Sequence, residues 1–217
     1  MKKKITLKDI SKNFSDRAIL SSVNIDFESG GANFILAPNG YGKTTLINMI
    51  LGFTKFKGEL EKKNIKHCKQ FAIFDDKNFY SNLTGLDNLM IFSGQSDRET
   101  IYKISGKYFS NSLLKKKLKV YSLGETKKLS LILWELTNPD LVLLDEISNG
   151  LDFDSLRNLS SLIKRQSENN LIILTGHHFE FYEKFVDNVY AIVQNKIVKV
   201  ENWKEKGLVV IYDEFYE

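Results

Sequence analysis

Apolar residues in this chain gather in short runs separated by longer, more polar spans. Five runs are strand-sized, at 33–37, 71–74, 141–144, 171–175 and 189–193. The spans between them are long enough for crossover helices. The pattern therefore predicts an α/β fold, a largely parallel sheet covered by helices. Leu129, Ile132, Leu133 and Leu136 recur at i, i+3, i+4 and i+7, which predicts a helix burying one stripe just before the strand at 141–144. Between 81 and 119 the pattern changes: the segment is polar, carries helical stretches and lacks a buried-strand run. It reads as a helical lobe inserted into the sheet.

Composition narrows the class. Hydrophobic residues make up 42% and charged residues 27% of 217, as in a folded globular chain of one domain. No apolar run reaches the ~18–20 residues that a bilayer-spanning helix needs. Lys2, Lys3 and Lys4 are not followed by a signal-peptide core. The lone cysteine, Cys68, cannot form an internal disulfide, which suits a reducing compartment. A net charge of +4 gives no reason to expect a nucleic-acid partner, and the basic run Lys115, Lys116, Lys117 and Lys119 reads as a solvated face of the lobe.

The chemistry begins after the run at 33–37. Ala37, Pro38, Asn39, Gly40, Tyr41, Gly42, Lys43, Thr44 and Thr45 lead into the apolar helix segment 46–51. A strand, a glycine-bearing turn and a helix in that order form a phosphate loop. Gly40 and Gly42 permit turns that aim successive N–H groups at an anion, and the helix N-terminus adds partial positive charge. Lys43 is placed to reach the β- and γ-phosphates and the Thr44 hydroxyl to bind Mg²⁺. Ala37 stands where the usual pattern has its first glycine. A second feature is the run 141–144 ending in Asp145 and Glu146. Ligands of open α/β sheets bind at the carboxyl ends of strands, so Asp145 is expected to hold Mg²⁺ through water and Glu146 to polarise the attacking water.

With these two motifs in hand, Tyr121-Ser122-Leu123-Gly124-Glu125 decides the resemblance. The chain resembles the ATP-binding cassette (ABC) transporter ATPases over nearly its whole length, in the compact bacterial exporter type. The resemblance implies a P-loop NTPase (RecA-like) core with a mainly parallel sheet, N-terminal antiparallel strands and an inserted helical subdomain. Its boundaries are expected at about 1–76 and 136–217 for the core and 77–135 for the subdomain. It further implies that Ser122 and Gly124 contact the γ-phosphate of ATP held by a second cassette, homo- or heterodimeric. Gly150, Leu151 and Asp152 look like the loop that communicates between subunits. His177, rather than adjacent His178, matches the switch histidine by the count back from Asp187, and Phe14 matches the aromatic that stacks on adenine. The implied function is ATP hydrolysis driving separate membrane-spanning permease subunits, from the cytoplasmic face of the membrane.

Three positions depart from the family pattern. Asp75 stands where a glutamine usually bridges Mg²⁺, water and the permease; Glu125 replaces the signature glutamine; Ile147 replaces a proline. Slower or more partner-dependent turnover is the expectation these changes raise. Other readings fit less of the sequence. A cassette acting on nucleic acid or ribosomes would show tandem cassettes, long coiled-coil insertions or a stronger basic bias. A P-loop kinase or GTPase leaves Ser122 and His177 without a role. A soluble or regulatory ABC-type ATPase with weak hydrolysis, uncoupled from transport, is the alternative that keeps every motif.

Overall fold

A computed structural model describes residues 1–74, 79–94 and 97–217. Its centre is a six-stranded sheet in the order β5-β6-β7-β3-β8-β9. The strands are β3 (Ala32–Leu36), β5 (Gln70–Ile73), β6 (Leu141–Leu144), β7 (Leu171–Thr175), β8 (Asn188–Val193) and β9 (Lys196–Val200). The first five of these in the sheet order run parallel, and β9 closes the edge antiparallel to β8. A separate antiparallel sheet is formed by β1 (Lys4–Phe14), β2 (Arg17–Glu28) and β4 (Lys57–Lys63), in the order β2-β1-β4. The fold is thus the α/β P-loop arrangement expected, with antiparallel strands at the amino terminus.

Side-chain alternation splits the core into two layers, one on each face of the central sheet. Phe34, Leu36, Val142, Leu144, Ile172 and Leu174 point to one face. There they meet α5 (Leu123–Thr137), α6 (Phe153–Ser167), α7 (Phe179–Tyr182) and α9 (Leu208–Tyr216). Ile35, Leu141, Leu143, Leu171 and Ile173 point to the other, against α1 (Lys43–Leu51) and the apolar side of the antiparallel sheet. A strand buried by helices on one side and by a second sheet on the other has no solvated face, which is why its sequence shows no alternation.

The helical lobe comprises α2 (Gly85–Ser93), α3 (Arg98–Ser105) and α4 (Asn111–Leu114), leading into α5. Helix α5 buries more than the stripe its spacing predicts: Leu131 and Trp134 are fully covered as well as Leu129 and Ile132. The reason is its position, with α2 and α3 packed on one side and the sheet on the other. The tail after β9 also departs from a simple tail. It forms α8 (Trp203–Lys206) and α9, and both dock onto the core through Trp203, Leu208 and Ile211.

Candidate functional site

The phosphate loop closes on itself around its lysine. Gly42 adopts the left-handed conformation at φ +103° as the residue before α1, and a Cβ there would lie 2.5 Å from Ile19 Cγ2. Only glycine satisfies both the backbone and the packing. Lys43, the first residue of α1, is 6% exposed. Its ammonium donates to the carbonyls of Ala37 (2.8 Å) and Pro38 (3.3 Å) and to Asn39 Oδ1 at 3.4 Å. Burial pulls the Lys43 pKa below its ordinary value, partly offset by Glu146 and Asp145.

Parallel register brings the ends of β3, β6 and β7 to one edge. Leu144 pairs with Leu174, so the next residues, Asp145 and Thr175, emerge side by side. Asp145 accepts from Thr44 Oγ1 at 2.6 Å through Oδ2 and from Thr175 Oγ1 at 2.6 Å through Oδ1. Thr175 in turn accepts from the backbone N–H of Glu146 at 3.3 Å. One buried hydroxyl therefore fixes both acids. Sequence reasoning passed over Thr175, since a threonine ending an apolar strand is ordinary β composition. The strand register beside Asp145 is the signal that finds it.

Glu146 has φ +53°, a left-handed backbone that non-glycine residues avoid. This turn carries its carboxylate to the loop. Glu146 Oε1 lies 3.2 Å from His177 Nε2 and 4.0 Å from Lys43 Nζ. It is nonetheless buried without a hydrogen bond of acceptable geometry. That oxygen keeps acceptor capacity on the loop side, where a carboxylate can take a hydrogen bond from water. His177 Nε2 is 2.8 Å from Asn39 Oδ1 and 3.3 Å from Lys43 Nζ, so it can donate to the amide oxygen as an Nε2–H or accept from the ammonium as a bare nitrogen. Burial lowers the His177 pKa first, and the Lys43 charge 3.3 Å away lowers it further, so the imidazole is neutral near pH 7. His178 instead occupies the position before α7.

The remaining expected residues fall in different places. Thr45 is half-buried in the first turn of α1, and Gly40 takes φ +80° with its carbonyl accepting from Arg17 at 3.0 Å. Tyr41 is exposed, its ring 5.5 Å from Tyr216. Phe14 sits 50% exposed at the end of β1, next to the two-residue turn before Arg17, with Lys12 Nζ 4.5 Å from its ring. Ser122 and Gly124 are not joined to this cluster. Ser122 makes its hydrogen bonds within the first turn of α5, where its hydroxyl and the Glu125 carboxylate form a reciprocal cap at 3.2 and 2.7 Å. Glu125 is thereby turned back onto its own helix. The Ser122 hydroxyl accepts in that cap, which leaves its proton free to donate elsewhere. Gly124 faces Gly150, whose carbonyl would be 2.6 Å from a Cβ. Asp75 lies outside the described residues.

Among the described residues, no group of three or more His, Cys, Asp or Glu side chains converges as a metal cage. The hard oxygen pair Thr44 Oγ1 and Asp145 Oδ2 suits Mg²⁺, which keeps waters and phosphate oxygens in its shell. No helix among those residues is long and apolar enough to cross a membrane.

Comparison with known proteins agrees with this arrangement. Residues 20–149 match the profile described as ABC transporter. The chain is 27% identical to the lantibiotic transport ATP-binding protein SrtF of Streptococcus pyogenes, over 89% of each chain. It is 28% identical to the bacitracin transport ATP-binding protein BcrA of Enterococcus faecalis, over 93% of this chain and 70% of that one. In fold it is similar to the solved ATP binding subunit of an ABC transporter, with TM-score 0.87, 18% identity, and 98% and 99% of the two chains covered. A glycine-bearing strand-to-helix loop closed around its lysine, an acid strand beside it and a profile match across both make this chain a member of the ABC transporter family, in its ATP-binding, ATP-hydrolysing domain.

Proposed function

We propose that this chain powers an exporter by binding and hydrolysing ATP between two cassettes, with Glu146 as the base that activates water. The observation that carries the reading is the convergence of Lys43, Asp145, Glu146 and His177 at one sheet edge, with Glu146 Oε1 buried and unpaired. The names of SrtF and BcrA, which concern lantibiotic and bacitracin transport, support a transporter for antimicrobial peptides.

In this reading the triphosphate lies across the N-terminus of α1, cradled by the backbone from Asn39 to Thr45. Tyr41 flanks the loop, and Phe14 stacks on the adenine. Lys43 exchanges its loop carbonyls for phosphate oxygens. Thr44 and Asp145 would hold Mg²⁺, with Asp75 as a third ligand, and the ion would supply charge neutralisation at the β- and γ-phosphates. Glu146 accepts a proton from the attacking water. His177 donates a hydrogen bond from Nε2–H to a γ-phosphate oxygen in place of Asn39, as either the Nε2–H tautomer or the imidazolium can. Ser122 and Gly124, whose contacts lie within α5 and at Gly150, serve the nucleotide of the second cassette. Closure of the pair is favoured by ATP and released by hydrolysis, and that difference in affinity drives the permease. The division into a core at 1–76 and 136–217 and a helical subdomain at 77–135 belongs to the same proposal, as does a location at the cytoplasmic face of the membrane beside permease subunits.

Glu146→Gln is the test. It keeps the shape and removes the proton acceptor. ATP binding should persist and a nucleotide-bound dimer should accumulate on gel filtration. Turnover should fall by at least ~10²-fold, the upper contribution of general-base loss being ~10⁴. Turnover equal to the parent protein's would reject Glu146 as the base.

A further inference from the structure

Helix α9 ends beside the nucleotide loop, and its contacts go beyond the reading above. Tyr216 places its hydroxyl 2.9 Å from the carbonyl of Leu36 and 2.9 Å from that of Ile192. Leu36 is the last residue of β3, from which the loop springs. The Tyr216 ring meets the loop residue Tyr41 edge-on at 5.5 Å, 81° between planes. On its other side it meets Tyr212 at 5.0 Å, Tyr212 meets Phe179 at 5.2 Å, and Phe179 lies 6.4 Å from the His177 ring. A continuous row of rings thus runs from the switch histidine through α9 to the phosphate loop. The other end of the helix is anchored independently: Leu208 and Ile211 are buried, and the Glu183 carboxylate accepts from the Leu208 N–H.

We propose that Tyr216 is a positioning residue for nucleotide binding, and that α9 braces the outer wall of the phosphate loop against the element that carries His177. The inference rests on the assignment of 39–45 as the nucleotide loop. The physical argument is one of preorganisation. Tyr41 is exposed and sits in a loop between two left-handed glycines, Gly40 at φ +80° and Gly42 at φ +103°. A glycine-flanked residue has little of its own to hold it in place. Tyr216 supplies an edge-on aromatic contact, which favours one ring orientation over others. Its hydroxyl bond fixes the ring relative to the strand end rather than to another loop. Burial raises the Tyr216 pKa, so the phenol stays a donor through the physiological range. Loss of such a brace spreads the free loop over more conformations, and the nucleotide must then select the competent one.

The test compares the intact protein with Tyr216→Ala, Tyr216→Phe, Tyr41→Ala and the double change Tyr41→Ala/Tyr216→Ala. MgATP affinity would be measured by calorimetry and steady-state ATPase kinetics recorded for each. Tyr216→Ala should weaken MgATP binding about three- to tenfold, the scale of one aromatic contact and one hydrogen bond. KM should rise by the same factor with kcat within about twofold, a split that loss of general stability would not produce. Tyr216→Phe, which keeps the ring, should lose less than Tyr216→Ala. The double change should be no weaker than the more affected single one, since both remove one contact. Wild-type affinity in folded Tyr216→Ala, or effects that simply add, would overturn the brace while leaving the nucleotide site intact. If Tyr216→Ala does not fold, unchanged affinity in both Tyr216→Phe and Tyr41→Ala would overturn it equally. Failure of the unaltered protein to bind MgATP would reject the nucleotide loop itself, and the brace with it.

Discussion

At the scale of single residues, the site is organised by a few shared polar atoms. The Thr175 hydroxyl touches both acids, His177 Nε2 stands between Asn39 and Glu146, and Lys43 turns on the carbonyls of its own loop. His177 has a consequence that can be measured without turnover. Its pKa is lowered by burial and then by Lys43, with His178 acting in the same direction and Glu146 and Asp145 opposing. Below the ordinary histidine value near 6.5, the unfolded chain therefore binds more protons than the folded one. The His177 contribution is fully present above that value and is lost as pH falls through it toward the lower folded pKa. Stability should thus drop as pH falls below the ordinary histidine value near 6.5. In His177→Gln that part of the pH profile should flatten. Urea midpoints across this range provide the measurement, and parallel profiles for the two proteins would refute the sign of the shift.

At the scale of elements, one side chain ties α5 to the turn that follows the acid strand β6. Lys127, on the second turn of α5, is 3% exposed and donates to the carbonyls of Glu146 (3.2 Å) and Asn149 (2.8 Å). It therefore holds in place the left-handed turn at Glu146. Lys127→Met keeps the length of the stem and removes the donor, leaving two carbonyls less well satisfied. A stability loss of about 1–3 kcal/mol is expected. The kcat should fall roughly tenfold, about 1.4 kcal/mol of barrier, with MgATP affinity unchanged, since the loop is untouched. Equal losses in affinity and kcat would argue against the tie. The same scale shows why some elements were readable and others were not. Strands β6 and β7 declare themselves because they are fully buried and hence continuously apolar. Strand β1 does not. Its register shifts between Leu7 and Ile10 and again at Lys12, with Asp9 at φ +51°, and each irregularity slips the period-two pattern. Helix α9 is obscured differently. Its run Leu208, Val209, Val210 and Ile211 contains three β-branched residues, a composition common in strands, yet only Leu208 and Ile211, three apart, are buried, while Val209 and Val210 are 48% and 46% exposed. Packing overrides the local preference there. In the site, Lys43, Asp145 and Glu146 were legible because their motifs are contiguous in sequence, while His177 was reached only through the family resemblance and its spacing from Asp187. Thr175 and Tyr216 were not, because their roles come from strand register and helix docking.

At the scale of the whole molecule, the residues proposed to meet the phosphates from within one chain come from the carboxyl ends of different strands of the central sheet. The loop follows β3, the acids follow β6, Thr175 ends β7 and His177 lies two residues beyond it. These strands are adjacent in the order β6-β7-β3, so the face proposed to bind phosphate exists only while the sheet is assembled. Bound nucleotide should therefore stabilise the protein as a unit rather than one loop of it. For a ligand that binds only the folded state, a concentration 100 times Kd contributes about 2.7 kcal/mol. A chain of this length gains roughly 2–4 °C in Tm per kcal/mol, so MgATP at that level should raise Tm by about 5–10 °C. Glu146→Gln is suited to the measurement because it prevents depletion of the ligand during the scan. Adding Lys43→Ala to that variant removes the buried cation and should abolish most of the shift, even though the loop carbonyls are then free to bond water. A Tm indifferent to MgATP in folded Glu146→Gln protein would mean that the clustered carboxylates and the lysine at the sheet edge are a structural ion-pair network and not a triphosphate site.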